Sequence, residues 1–167
     1  MAKKNKECKY CGSKLHLSLS CFQKPVKPPK TSVKAKNVKI PKKKVETRSQ
    51  LVKKLDKVFS EYIRRRDDGK GCVTCGVKKP WQEMQACHYF SRGKYPTRWH
   101  EDNVFSGCYR CNVLLKGAYT DYARFMFERF GAEKMQELYE LAHSGEKIPT
   151  PVIREMIEEY KSKCLTL

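Results

Sequence analysis

The sequence predicts a small α+β protein whose middle is held together by paired cysteines and flanked by helices. Three observations lead there. Six of the nine cysteines fall in three close pairs, Cys8/Cys11, Cys72/Cys75 and Cys108/Cys111. Apolar residues recur at helical intervals on both sides of residues 70–118, but not within them. With 167 residues, 40% hydrophobic and 32% charged, the chain supports one domain and a small appendage, not a large apolar core.

Four sections follow in order. Residues 1–22 form a cysteine-rich head. Residues 23–45 are rich in Lys and Pro, with Pro25, Pro28, Pro29 and Pro41 blocking helix and sheet, and read as an extended, self-repelling tether. Residues 46–118 open with a helix to about Asp68, on whose face Leu51, Val52, Leu55, Val58, Phe59, Tyr62 and Ile63 recur. Arg64, Arg65 and Arg66 end that helix, suited to its C-terminal dipole and also to phosphate. Residues 119–167 predict helices at 120–130 and 132–143, joined at Gly131, and at 151–163, with Thr150 as N-cap and Pro151 first in the helix. Their apolar stripes suit either a core or a subunit contact.

Two intervening residues is metal-knuckle spacing, whereas disulfide frameworks pair distant cysteines. Cys72, Cys75, Cys108 and Cys111, with 32 residues between the knuckles, predict a four-thiolate structural zinc site that replaces missing core. In the head, Cys8, Cys11, His16 and Cys21 are separated by two, four and four residues, the spacing of a retroviral-type zinc knuckle. A second zinc is expected there, and such knuckles often bind single strands or loops. Cys164 and His143 have no partner at metal spacing.

The formal net charge is +18, distributed as +13 in residues 1–45, +7 in 46–118 and −2 in 119–167. An excess placed this way points to a polyanion, most simply nucleic acid. No apolar run approaches the length of a membrane span, and the basic start lacks the apolar stretch of a secretory signal. Membrane and secreted proteins are therefore not expected. Between the knuckles, Tyr89, Phe90, Tyr95 and Trp99 interleave with Arg92, Lys94 and Arg98, suiting a DNA-binding surface or a cover over the zinc site.

The same segment carries Cys87-His88-Tyr89, then Arg98 to Asn103, then Cys111-Asn112 through Lys116-Gly117. This order resembles the HNH (ββα-metal) nucleases, built on a treble-clef zinc scaffold, and most closely the bacteriophage NinG (Rap) recombination proteins. The likeness covers about residues 46–130. Those phage proteins also carry a cysteine-rich head, commonly with four cysteines, so His16 would stand for a missing fourth.

The resemblance implies metal-dependent cleavage of branched DNA such as four-way junctions or D-loops, in the cytoplasm of an infected or lysogenic host. His88 would be general base, and Asn112, at the start of a final helix, would hold a magnesium or manganese ion. Asn103 would hold the loop that orients His88. Arg92, Lys94, Arg98 and Lys116, the last four residues beyond Asn112 on the same helical face, would meet DNA. A two-fold junction would suit a homodimer through the helical tail.

One departure stands out. Many such nucleases have Asp directly before the histidine, where this chain has Cys87, and Gln85 stands where some relatives carry an acid. Asn112, His88 and waters would then hold the ion, or Glu101, Asp102 or His100 would help. The alternatives are a zinc-built DNA-binding recombination protein without catalysis, and a restriction- or homing-type HNH nuclease acting on duplex DNA.

Overall fold

Thr47 opens the first helix, α1 (Arg48–Arg66), through a capping box: its hydroxyl accepts from the Gln50 N–H while the Gln50 side chain accepts from the Thr47 N–H. The stripe read from the sequence buries Leu51, Leu55, Phe59, Tyr62 and Ile63, with Val52 and Val58 at its margin. Strand β1 (Gln85–His88) pairs antiparallel with β2 (Val104–Gly107), from Gln85 opposite Gly107 to His88 opposite Val104. A π-helical turn (Arg110–Leu114) follows, then α2 (Tyr119–His143) and α3 (Thr150–Leu165). Gly131 breaks α2 with φ 74° and ψ 172°, at the expected joint.

The computed structural model describes residues 7–14, 21–27 and 45–167. The chain divides into two units, Met1–Lys43 and Lys44–Leu167. In the first, the Gly12 N–H bonds to the Cys8 carbonyl (2.8 Å) and the Cys8 N–H to Ser13 (2.9 Å), a tight knuckle. No helix among the described residues is long and apolar enough to cross a membrane.

The Lys44–Leu167 unit has three clusters of buried apolar residues, a small one in which Met84 joins Cys72, Cys108 and Cys111 and two larger ones, one around each neighbour of the hairpin. In one, Ile153, Ile157 and Tyr160 of α3 pack on the α1 stripe together with Trp99 and Val104. In the other, Tyr122, Met126, Met135 and Leu138 of α2 cover Cys87 and Phe105. The helical tail therefore spends its stripes inside the chain. One detail differs from expectation: Pro149, not Thr150, occupies the N-cap of α3. The Thr150 hydroxyl instead accepts from Arg48 (3.1 Å), which also reaches the Ile148 carbonyl (2.8 Å), so a contact between helices displaces local capping.

The three arginines ending α1 have different fates. Arg65 pairs with Glu61 (2.7 Å), and Arg64 lines a cleft. Arg66 stitches helix to hairpin, donating to the carbonyls of Glu101 (3.1 Å) and Val104 (2.9 Å) and pairing with Asp67 (2.8 Å). Asp67 is buried and also accepts from the Ser106 N–H (3.1 Å) and Lys70. Burial alone would raise its pKa, but Arg66, Lys70 and Ser106 outweigh it and hold the carboxyl below its ordinary value.

A group with a depressed folded pKa stabilises above its unfolded pKa and loses that contribution as pH falls through the folded one. Asp67→Asn should therefore lower unfolding stability by about 3 kcal/mol at neutral pH, the cost typical of stranding one member of a buried pair. The gap between variant and wild type should close as pH falls below about 4. Denaturant unfolding of both proteins at a series of pH values checks this; a gap independent of pH would show that the carboxylate charge contributes nothing.

Candidate metal centre and cleft

The Cys72–Cys75 knuckle folds back so that the Gly76 N–H reaches the Cys72 carbonyl and the Cys72 N–H reaches Val77, both at 2.8 Å. Gly71 and Gly76 take φ of 86° and 73°, and a Cβ on Gly71 would strike the Gly76 backbone. The second knuckle runs into the π-helical turn. The four Sγ atoms of Cys72, Cys75, Cys108 and Cys111 lie within 4.8 Å of one another. Two N–H groups point at sulfur, Cys108 to Cys72 (3.3 Å) and Cys111 to Cys108 (3.5 Å). Burial opposes ionisation of Cys72, yet the Thr74 hydroxyl and the backbone N–H groups of Cys108, Cys75 and Thr74 prevail and hold its thiol down at about 6. Four close sulfurs with backbone donors could hold a metal ion and suit zinc.

In the head, Cys8, Cys11 and Cys21 likewise lie within 4.8 Å of one another. His16, the expected fourth ligand, lies outside the described residues. Three clustered thiols could hold a metal.

Beside the four-sulfur site is a cleft of about 530 Å³ where β1, α1 and the π-helical turn meet. It collects His88, Asn112, Arg92 and Lys116, four of the expected residues, with Gln85, Ser60, Ser91 and Arg64. His88 is partly buried, and its Nε2 lies 3.0 Å from the Arg98 carbonyl. Since a carbonyl only accepts, Nε2 carries the proton and Nδ1 is left as the basic nitrogen. Burial lowers the His88 pKa, so the ring is neutral near pH 7. Asn112 donates from Nδ2 to Gln85 Oε1 (2.6 Å), leaving its own Oδ1 as an acceptor.

Asn103 is wholly buried and makes three bonds across the connection between the strands. Its Oδ1 accepts from the Phe90 N–H (2.7 Å), and its Nδ2 donates to the carbonyls of Phe90 (3.0 Å) and Thr97 (2.8 Å). Both ends of the segment carrying His88 and Arg98 are thereby tied to one amide.

Several expectations need adjustment. Asn112 sits in the π-helical turn, ahead of α2, not at a helix start. Lys116 is beyond that turn, with φ 50°, so a left-handed backbone rather than a shared helical face brings it into the cleft. Arg98 is held by Asp56 through two bonds (2.9 and 2.6 Å) and donates to the Arg92 carbonyl (3.1 Å), so the fold employs its guanidinium. Lys94 lines a different cleft.

Glu101, Asp102 and His100 are not among the cleft residues. Glu101 accepts from Tyr62 (2.7 Å) and Lys163 (2.8 Å), and His100 Nδ1 accepts from the Asp102 N–H (3.2 Å). Cys87 is buried against Phe105 and Tyr122, on the opposite face of β1 from His88. Burial, then the neighbouring cysteines of the four-sulfur site, push its thiol well up. Ser60 was not legible in the sequence, since it stands 28 residues before His88 on another element.

Metal analysis should find two zinc ions per chain. Cys72→Ala should remove one and unfold the Lys44–Leu167 unit, because its sulfur tethers segments distant in sequence. Cys8→Ala should remove the other and leave the melting of that unit unchanged; a single zinc insensitive to Cys8→Ala would show that the head holds none.

A family model described as "Bacteriophage Lambda NinG protein" matches residues 22–167, a match that begins beyond the three thiols of the head. Protein ninG of Salmonella phage P22 is 28% identical over 127 residues, covering 75% of this chain and 62% of that protein. Protein ninG of Escherichia phage lambda is 28% identical over the same length, covering 61% of its own chain. That of Escherichia phage 933W gives 28% and 62%. The matched part thus spans less than two thirds of these relatives. No solved structure matches. A match over most of the length, added to the knuckles and the His88–Asn112 order, means that the chain belongs to the NinG family of bacteriophage lambda-type proteins.

Proposed function

We propose that the chain is a metal-dependent endonuclease of HNH type, acting in phage recombination on branched DNA, with His88 as general base. The observation that carries this is the Nε2–H bond from His88 to the Arg98 carbonyl, which leaves Nδ1 as a neutral base in a cleft lined by cations. A β-hairpin leading into a turn that carries the second knuckle is also the order a ββα-metal module requires.

In this reading a phosphodiester lies in the cleft between Arg92, Lys116 and Arg64. Arg64 is braced there by its bonds to the carbonyls of Ser60 (3.1 Å) and Trp81 (3.5 Å). His88 takes a proton at Nδ1 from the attacking water. Asn103 acts as a positioning residue, because it ties the segment that supplies the Arg98 carbonyl. A divalent ion would be held by Asn112 Oδ1 and waters, and when bound would stabilise charge on the phosphate and the leaving oxygen. The lining residues include amides and hydroxyls but no carboxylate, so the DNA phosphate must supply the anionic oxygen such an ion prefers. The same lack of a carboxylate favours a second reading, a DNA-binding recombination protein without catalysis.

The test incubates labelled four-way junction and matched linear duplex with wild type and His88→Ala, in magnesium, manganese or EDTA. Wild type should nick the junction near its branch, and His88→Ala should bind it equally but cut about 10²- to 10⁴-fold more slowly, the usual worth of a positioned base. If neither protein cuts any DNA with any ion while both bind, the second reading holds. Equal cutting of junction and duplex would instead assign the activity to linear DNA.

Gln85→Asp should lower the divalent-ion concentration needed for half-maximal cutting, since it puts a carboxylate beside Asn112. An ion titration of cutting by the two proteins checks this, and an unchanged midpoint would remove Gln85 from the ion's surroundings.

A further inference from the structure

Residues 91–96 form a ridge between two clefts of the Lys44–Leu167 unit. Ser91 and Arg92 line the cleft of His88. Gly93, Lys94, Tyr95 and Pro96 line a second cleft of about 630 Å³, which the reaction does not use. Its other walls are Arg48 at the start of α1, and His143, Glu146 and Lys147 where α2 gives way to the next turn. Arg92 and Lys94 are two residues apart, so their Cα atoms lie within about 7 Å of each other.

The second cleft combines cations with ring faces. Arg48, Lys94 and Lys147 stand against the single carboxylate of Glu146. Neither lysine belongs to an ion pair among the described residues, whereas both lysines of α3 do. Tyr95 is held edge-on against Trp99 (5.2 Å between ring centroids), with the guanidinium groups of Arg48 and Arg98 each 5.6 Å from its own centroid. The His143 and Tyr139 ring centroids lie 4.2 Å apart, and His143 donates from Nδ1 to the Tyr139 carbonyl (2.8 Å). Fixed rings beside ammonium groups outside any ion pair are what a base and its phosphate require. Such a ring can stack on a base only if that base has left the duplex.

We infer that this second cleft binds an unpaired nucleotide, its phosphate on Lys94 and Lys147 and its base against Tyr95, while the phosphodiester to be cut lies in the His88 cleft. The ridge 91–96 then stands between two diverging strands, and a branch point is where paired and unpaired strands separate over so short a distance. The inference rests on the nuclease reading only for DNA being the ligand. It concerns binding, and its test needs no cutting.

Full-length wild type and the Lys94→Ala/Lys147→Ala variant are titrated with a fluorescent twelve-residue oligothymidylate and with a blunt duplex, in EDTA, across a series of salt concentrations. Neither lysine joins an ion pair among the described residues, so the variant should melt as wild type does. Its affinity for the single strand should fall about tenfold, and the slope of log K against log salt should shrink by about 1.4, which is about 0.7 for each phosphate that a lysine no longer neutralises. Duplex affinity should be unchanged. Quenching of a 2-aminopurine placed in the oligonucleotide should disappear in Tyr95→Leu. Unchanged affinity and slope for the single strand, or an equal weakening on blunt duplex, would overturn the inference. If wild type cuts nothing while the variant still binds the single strand more weakly, the nuclease reading fails and the second cleft stands.

Discussion

The central module depends on bringing residue 72 to residue 111. Cys72, Cys75, Cys108 and Cys111 gather their sulfurs within 4.8 Å, closing a loop of nearly forty residues that has little apolar core of its own. A metal ion bound there would replace that core and offset the entropy of closure. The closure also brings the end of β2 against the first knuckle, where a Cβ on Gly107 would lie 3.9 Å from the Cys72 sulfur and would overlap the Cys87 sulfur of β1. Only glycine allows that approach, and with it the pairing of Gln85 with Gly107 that sets the hairpin register.

Register in turn decides what faces the cleft. With side chains alternating along β1, His88 turns toward α1 and the π-helical turn, while Cys87 turns into the cluster under α2. The cysteine standing where a metal ligand was expected is thus a packing residue, whereas Gln85, of the same parity but at the first position of β1, reaches the cleft and pairs with Asn112. The identity of the residue before the histidine says little about ion binding until the strand's two faces are assigned.

A long connection between two four-residue strands would ordinarily be mobile, and here it carries Arg92, which lines the His88 cleft, and Lys94, which lines the second one. Asn103 supplies the restraint by spending both its oxygen and its nitrogen on backbone at Phe90 and Thr97. A buried amide satisfied in this way is costly to disturb, because removing any one partner leaves a desolvated polar group. The Asp56 carboxylate adds a second anchor, gripping Arg98 and accepting from the Trp99 indole (2.9 Å). The tyrosine and arginine rows of residues 89–98 therefore divide between covering the module and facing two clefts on either side of one ridge.

By itself the sequence determined what depends on spacing along the chain. The knuckles, the helices with their stripes, the Gly131 break and the order of His88, Asn103 and Asn112 all follow from local period and fixed intervals. Tertiary structure decided what depends on distance across the chain. It placed Ser60 and Arg64 of α1 in the cleft, gave Arg98 to Asp56, sent Glu101 to Lys163, and put Lys94 on the far side of the ridge from Arg92. It also replaced the expected helical face for Lys116 with a left-handed turn and filled the tail's stripes from within. A charged side chain in a sequence has only its type and its neighbours. Which of several opposite charges it meets is settled when the sulfur cluster and the hairpin register have brought distant segments together.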